Sequence, residues 1–189
     1  SLMQSIYGEH HPCGQVTEEN DYRTITPLVL NDFYKRYYTS GNCSIYLAGK
    51  VDEDVIKRVG SLFGDESFGA DFQPIDTKKY VIETNDEKRI FVERPDAMQS
   101  AVRMGMPSLD ILHPDFLKFR VVVTLLGGYF GSRLMSNIRE DKGYTYGISS
   151  SIQTYPGSGL FAIATEAANE FVEPLIKEVY HEITRLQSD

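Results

Sequence analysis

Residues 144–165 constrain the fold more than any other stretch. Tyr144 to Thr154 alternates apolar and polar side chains, with Tyr146, Ile148 and Ile152 expected on one face and Ser149, Ser151 and Gln153 on the other. Tyr155-Pro156-Gly157-Ser158-Gly159 reads as a turn, and Leu160 to Thr165 returns as a second strand. An antiparallel pair with one apolar face needs a cover. The following sequence supplies it: Asn169 is placed to cap a long helix running to about Leu186, with Phe171, Leu175, Val179 and Ile183 on one face.

The upstream segments fit the same plan. Ser100 to Met106 reads as a strand, and Lys79–Thr84 and Arg89–Glu93 as a hairpin around Asn85–Lys88. His113-Pro114-Asp115 opens a helix with Phe116, Phe119, Val122, Val123 and Leu126 inward, closed by Gly127-Gly128. A shorter helix spans about Ser132 to Asp141 and ends near Gly143. Earlier still, Thr26 and Pro27 start a helix carrying Leu28, Phe33, Tyr34, Tyr37 and Tyr38, ending at Gly41-Asn42. Cys43 to Gly49 reads as a short buried strand, with Cys43 a small buried hydrophobe, and Asp52 caps a helix ending at Gly64. Asp65 to Thr77 loses all period and reads as a linker. The sum is α+β, a mostly antiparallel sheet with helices packed on one face as a two-layer sandwich. The expected division is 1–70 and 77–189, with one combined globular unit as the alternative.

Composition narrows the function. With 189 residues, 41% hydrophobic and 24% charged, the chain is an ordinary globular one. Its net charge of -8 and lack of basic runs argue against nucleic-acid or anionic-membrane partners. The longest apolar runs, such as Val121 to Leu126, are too short to span a bilayer. Two cysteines make no disulfide framework, and no basic-then-apolar leader opens the chain. With Ser1-Leu2 ahead of Met3, the sequence reads as a fragment.

Chemical motifs are scarce. None of His10, His11, His113 and His181 lies at a spacing that places two imidazoles on one helix face, so no bound metal is expected. Glu9-His10-His11-Pro12-Cys13 reads as a polar surface turn. Gly127-Gly128-Tyr129-Phe130-Gly131-Ser132-Arg133 lacks the phosphate-loop lysine and follows a helix rather than a strand. On pattern alone, Arg139 is a residue complementing a helix C-terminus, and Tyr144 and Tyr146 are ordinary strand residues.

A resemblance changes that balance. Leu125-Leu126-Gly127-Gly128, Ser132-Arg133-Leu134 and Arg139-Glu140-x-x-Gly143-x-x-Tyr146 resemble the non-zinc lobe of the pitrilysin/insulinase-type zinc metallopeptidases, the inverzincins, and of the related mitochondrial processing peptidases. His11-Pro12-Cys13-Gly14 and Phe33-Tyr34-x-x-Tyr37-Tyr38 through Asn42 and Gly49 resemble the tail of the zinc-carrying lobe. The resemblance implies a two-lobed clamshell. One lobe carries H-x-x-E-H and a distant Glu; the other supplies an arginine and a tyrosine that hold a peptide, matched here by Arg139 and Tyr146, with the Gly127-Gly128 turn close to the substrate chamber. H-x-x-E-H is absent from this sequence. The chain is therefore expected to be non-catalytic alone: residues 1–70 form the tail of the first lobe and 77–189 the front of the second. Zinc is expected in the complete enzyme, peptide as substrate, and a zinc-carrying lobe of the same or a partner polypeptide as partner. The two halves are also expected to complement each other, with Cys43 to Gly49 pairing into the later sheet. A non-catalytic scaffold subunit of the same fold is the alternative, and a module adding a peptide strand to a sheet edge is a third reading.

Overall fold

The alternating segments pair as antiparallel strands in the computed structural model, which describes residues 1–64, 68, 80–155 and 157–188. Strands β1 (Gln99–Ser108), β2 (Thr145–Tyr155) and β3 (Ser158–Ala168) form a sheet in the order β1-β3-β2. The central strand β3 pairs along its whole length with β1, from Gln99 opposite Ala168 to Ser108 opposite Gly159. On the other side β2 closes the hairpin from Tyr155 opposite Ser158. The described residues divide into two compact units, one drawn from 1–16 and 80–189, the other from 17–79.

In the larger unit, odd-numbered residues of β3 face two helices, α5 (Phe116–Gly127) and α6 (Val172–Ser188). Ile163 and Ala167 bury there with Leu126, Leu134, Ile138, Ile148, Leu175 and Val179. This is the antiparallel sheet with helices on one face that the sequence predicts. Its opposite face gains a cover that the sequence does not signal. Helix α1 (Leu2–Tyr7) starts with a capping box between Ser1 and Gln4, and buries Ile6 and Tyr7 against Leu160. The fully buried Tyr7 hydroxyl donates to the Gly159 carbonyl at 3.1 Å and accepts from Ser158 Oγ at 3.2 Å.

Residues 80–93 form no strand, contrary to the predicted hairpin; Lys79 lies outside the described residues. The backbone here serves α1 instead. The amides of Glu83 and Asn85 donate to the carbonyls of Tyr7 and Ser5, and Thr84 Oγ1 donates to that of Ile6. These bonds satisfy carbonyls that the end of a helix leaves without partners. His11 is not on a surface turn either. It is buried, its Nδ1 accepts from the Cys13 amide, and its ring lies between Tyr7 and Tyr80. The final helix starts later than predicted: Asn169 begins a 3₁₀ turn (Asn169–Phe171), and its amide side chain binds β1 and its approach, accepting from Ser100 Oγ and donating to the Ala97 carbonyl.

The smaller unit holds α2 (Glu19–Thr24), α3 (Pro27–Tyr37) and α4 (Glu53–Phe63). Thr26 caps α3 and Asp52 caps α4 through their side-chain oxygens, as the sequence predicts. Residues 43–48 form no strand, and Cys43 is exposed. The expected pairing of Cys43 to Gly49 into the later sheet is therefore absent. Strand propensity creates an extended segment, but only a partner's hydrogen bonds make it a strand. Both thiols are free, and the expected linker Asp65–Thr77 lies, Phe68 aside, outside the described residues.

Candidate functional site

The site is built where α5 ends and the chain returns to β2. Gly127, the last residue of α5, lies against β2 so closely that a Cβ there would fall 2.6 Å from the Ser150 amide nitrogen and 2.8 Å from its Oγ. That Oγ donates to the Val123 carbonyl at 2.7 Å, tying strand to helix. Close internal packing thus accounts for Gly127. Gly128 is as confined, since its Cβ would lie 2.6 Å from the Thr124 Cα.

After the turn, residues expected to form an ordinary helix widen into a π-helical segment, Met135–Asp141. The Lys142 amide donates to the Asn137 carbonyl, five residues back, and the Tyr144 amide to that of Ile138. Such segments are rare and often mark functional positions. Glu182 on α6 braces this one. Its carboxylate is 2% exposed, and it accepts from Arg133 Nε at 3.0 Å, Asn137 Nδ2 at 2.8 Å and Arg185 Nη1 at 3.2 Å. Asn137 also donates to Glu178, which Lys142 approaches from the other side at 3.4 Å. The Asn137 hydrogen bond, with help from Lys142, holds the Glu178 carboxyl below the usual carboxylate range.

Arg139 projects from this segment and its guanidinium is fixed on two sides. Nε donates to the Tyr146 carbonyl at 3.0 Å, and Cζ sits 4.6 Å from the centre of the Phe130 ring, a cation–π contact. Glu140 lies 3.6 Å from Nη1. The structure therefore brings Arg139 and Tyr146 together across seven residues.

Tyr146 does not share a face with Ile148, as alternation predicts. A bulge intervenes: Thr145 pairs with Ala167 and Ile148 with Thr165, so three steps on β2 oppose two on β3. Ile148 turns into the core while the Tyr146 ring is 93% exposed. Gly143, at φ 65°, supplies the left-handed turn leading into the strand.

Beside the pair lies an open cavity of about 400 Å³, lined by Gly127, Gly128, Tyr129, Phe130, Met135 and Gly147 among others. Met135 anchors its floor, its Sδ accepting from the Ile148 amide at 3.4 Å. Of the four residues singled out in the sequence, Gly127 and Gly128 line the cavity, while Arg139 and Tyr146 adjoin it through Phe130 and Gly147. Phe130, Met135 and Glu182 join them without any signal in the sequence, because each acts on a partner at a distance along the chain. Among the described residues, no three His, Cys, Asp or Glu side chains group to hold a metal ion, so the site does not fit a zinc centre.

Comparison with known proteins bears on the family and the fold. A family model described as the peptidase M16 inactive domain matches residues 24–189. The chain is 29% identical over 158 residues to an uncharacterized zinc protease of Rickettsia felis, covering 82% of this chain and 36% of that protein. It is 26% identical over 191 residues to the uncharacterized zinc protease YmxG of Bacillus subtilis, covering 100% of this chain and 45% of that one. The crystal structure of a peptidase M16 inactive domain from Pseudomonas fluorescens superimposes with a TM-score of 0.77 at 26% identity, over 100% of this chain and 45% of that one. A protease from Helicobacter pylori, 18% identical, shares the fold with a TM-score of 0.72, over 94% of this chain and 44% of that one. The chain spans less than half the length of these relatives, and no helix among its described residues is long and apolar enough to cross a membrane. Fold, motif string and family match together place this chain in the peptidase M16 inactive-domain family.

Proposed function

We propose that this chain is the substrate-binding, non-zinc portion of a two-lobed zinc metallopeptidase, and that it does not cleave peptides alone. Residues 1–70 are then the tail portion of the first lobe and 77–189 the front portion of the second, with 1–16 packed against the latter. The observation that carries this reading is the fixed Arg139 guanidinium, packed on Phe130 and bonded to the backbone of the exposed Tyr146, next to the cavity that Gly127, Gly128 and Phe130 line. A guanidinium offers five donors in a planar fork; Nε serves the Tyr146 carbonyl and Nη1 lies 3.6 Å from Glu140, which leaves donors on the terminal nitrogens. These suit the carbonyls of an extended peptide, and the tyrosine hydroxyl suits a carbonyl oxygen that gains negative charge during hydrolysis. Zinc belongs in this reading to the partner lobe, in the same or another polypeptide.

The test is peptide cleavage by the chain alone, by the chain with zinc, and by the chain mixed with a separately supplied zinc-carrying lobe. Activity is expected only in the last case and falls by about 10²-fold or more on Arg139→Ala or Tyr146→Phe, in line with removal of an oxyanion donor. Cleavage unaffected by either substitution refutes the reading. No activity in any combination favours a scaffold of the same fold.

A further inference from the structure

The bulge that turns Tyr146 outward is held by two threonine hydroxyls. Thr165 lies on β3 between Ile163 and Ala167, on the helix-covered face, and is 5% exposed. A hydroxyl among apolar neighbours is costly unless bonded. This one is bonded to the bulge: Thr165 Oγ1 lies 2.8 Å from the Gly147 carbonyl and 2.9 Å from Thr145 Oγ1. Thr145 Oγ1 in turn accepts from the Gly147 amide at 3.1 Å and donates to the Glu166 carbonyl at 2.6 Å. Both backbone groups of Gly147, displaced from the regular ladder, thus find partners in these side chains. Tyr146 sits between Thr145 and Gly147, and its carbonyl is the acceptor for Arg139.

We infer that Thr165, with Thr145, is a positioning residue: its buried hydroxyl staples the β2 bulge, and so fixes both the outward Tyr146 side chain and the carbonyl that orients Arg139. Valine at 165 would fill the same space and tolerate strand geometry, yet lack the staple. Serine keeps the hydroxyl. The inference rests on the reading of Tyr146 as a substrate-facing residue, and the experiment separates the two.

Amide hydrogen exchange of Gly147 is measured in the chain, alongside its thermal midpoint. Cleavage is measured in the mixture with the zinc-carrying lobe. Thr165→Val removes the donor to the Gly147 carbonyl and releases the Thr145 hydroxyl that accepts the Gly147 amide, so Gly147 exchange is expected to speed by about tenfold, while Thr165→Ser leaves it near wild type. Cleavage is expected to fall in the valine variant and to be retained in the serine variant. In a Tyr146→Ala background, Thr165→Val is expected to lower cleavage by less than it does in the wild type, the remainder being its effect on Arg139 through the backbone carbonyl of residue 146. Equal exchange in the valine and wild-type chains overturns the staple, whatever the activity. Additive loss in the double variant overturns the coupling to Tyr146. Undiminished cleavage by Tyr146→Ala overturns the substrate-facing reading and with it the role of the staple, while the exchange result still reports on the hydroxyl itself.

Discussion

Replacing Gly127 with alanine adds one methyl group at the tightest helix–strand approach near the site. The new Cβ meets the Ser150 amide nitrogen at 2.6 Å, Ser150 Oγ at 2.8 Å and Leu134 Cδ1 at 3.1 Å. The first of these is backbone in a paired strand and cannot rotate away, so α5 must lift. Overpacking of this kind costs about 1–3 kcal/mol, and here the upper part of that range applies. Lifting α5 also strains the buried bond from Ser150 Oγ to the Val123 carbonyl, worth about 1 kcal/mol. Against this, alanine at a helix end returns at most about 1 kcal/mol of propensity. The net loss is about 2–3 kcal/mol, or a drop of roughly 4–12 °C in thermal midpoint for a chain of this size. Gly147→Ala is the control, since a Cβ there meets nothing within 4 Å, and it is expected to stay within about 0.5 kcal/mol of wild type. Differential scanning calorimetry of the three chains decides the matter. A Gly127→Ala chain that melts with the Gly147→Ala chain shows that α5 does not pack on β2 as described.

Further outcomes are expected at three side chains, Glu182, Tyr7 and Glu178. Glu182→Ala removes the buried carboxylate that Arg133, Asn137 and Arg185 share, and urea unfolding is expected to show a loss of about 3 kcal/mol or more. Tyr7→Phe deletes the bonds to Gly159 and Ser158 and is expected to cost about 1–2 kcal/mol in the same assay. Because burial, ahead of any other cause, raises the Tyr7 phenol pKa, wild-type stability is expected to fall as pH rises past about 10, and the Phe variant to lose less. Glu178 titrates with the opposite sign: its depressed carboxyl pKa, due first to Asn137, stabilises above the unfolded value near about 4.3 and is lost as pH falls through the folded one. Thermal midpoints between pH 3 and 5 are therefore expected to fall less steeply in Glu178→Gln.

The elements read correctly from sequence are those whose signal is local. Phe116 to Gly127 carries its helical period and terminal glycines, and the 145–168 hairpin carries its alternation and turn. The misreadings share a different cause. Residues 43–48 and 80–93 have strand-like composition, but pairing depends on a neighbour that composition does not encode. Helix α1 is six residues long, too short for a period, and holds because Tyr7 is buried against β3. Arg139 and Tyr146 were legible through the motif string. Their mutual contact was not, since it depends on a widened helical turn and a bulge that alternation hides. Arg133 stood in the same string, and its buried partner Glu182, 49 residues on, gave no sign.

That widened turn and that bulge have a joint consequence for length. Each admits one residue more than regular geometry would, and each residue of a helix advances the following side chain by about 100°. Removing a single residue between Met135 and Ile138 would swing Arg139 away from Phe130, and removing Thr145 would restore alternation and turn Tyr146 inward. The interval from Met135 to Ile148 acts as a ruler. Substitutions along it are graded in effect, whereas an insertion or deletion of one residue uncouples the two side chains altogether.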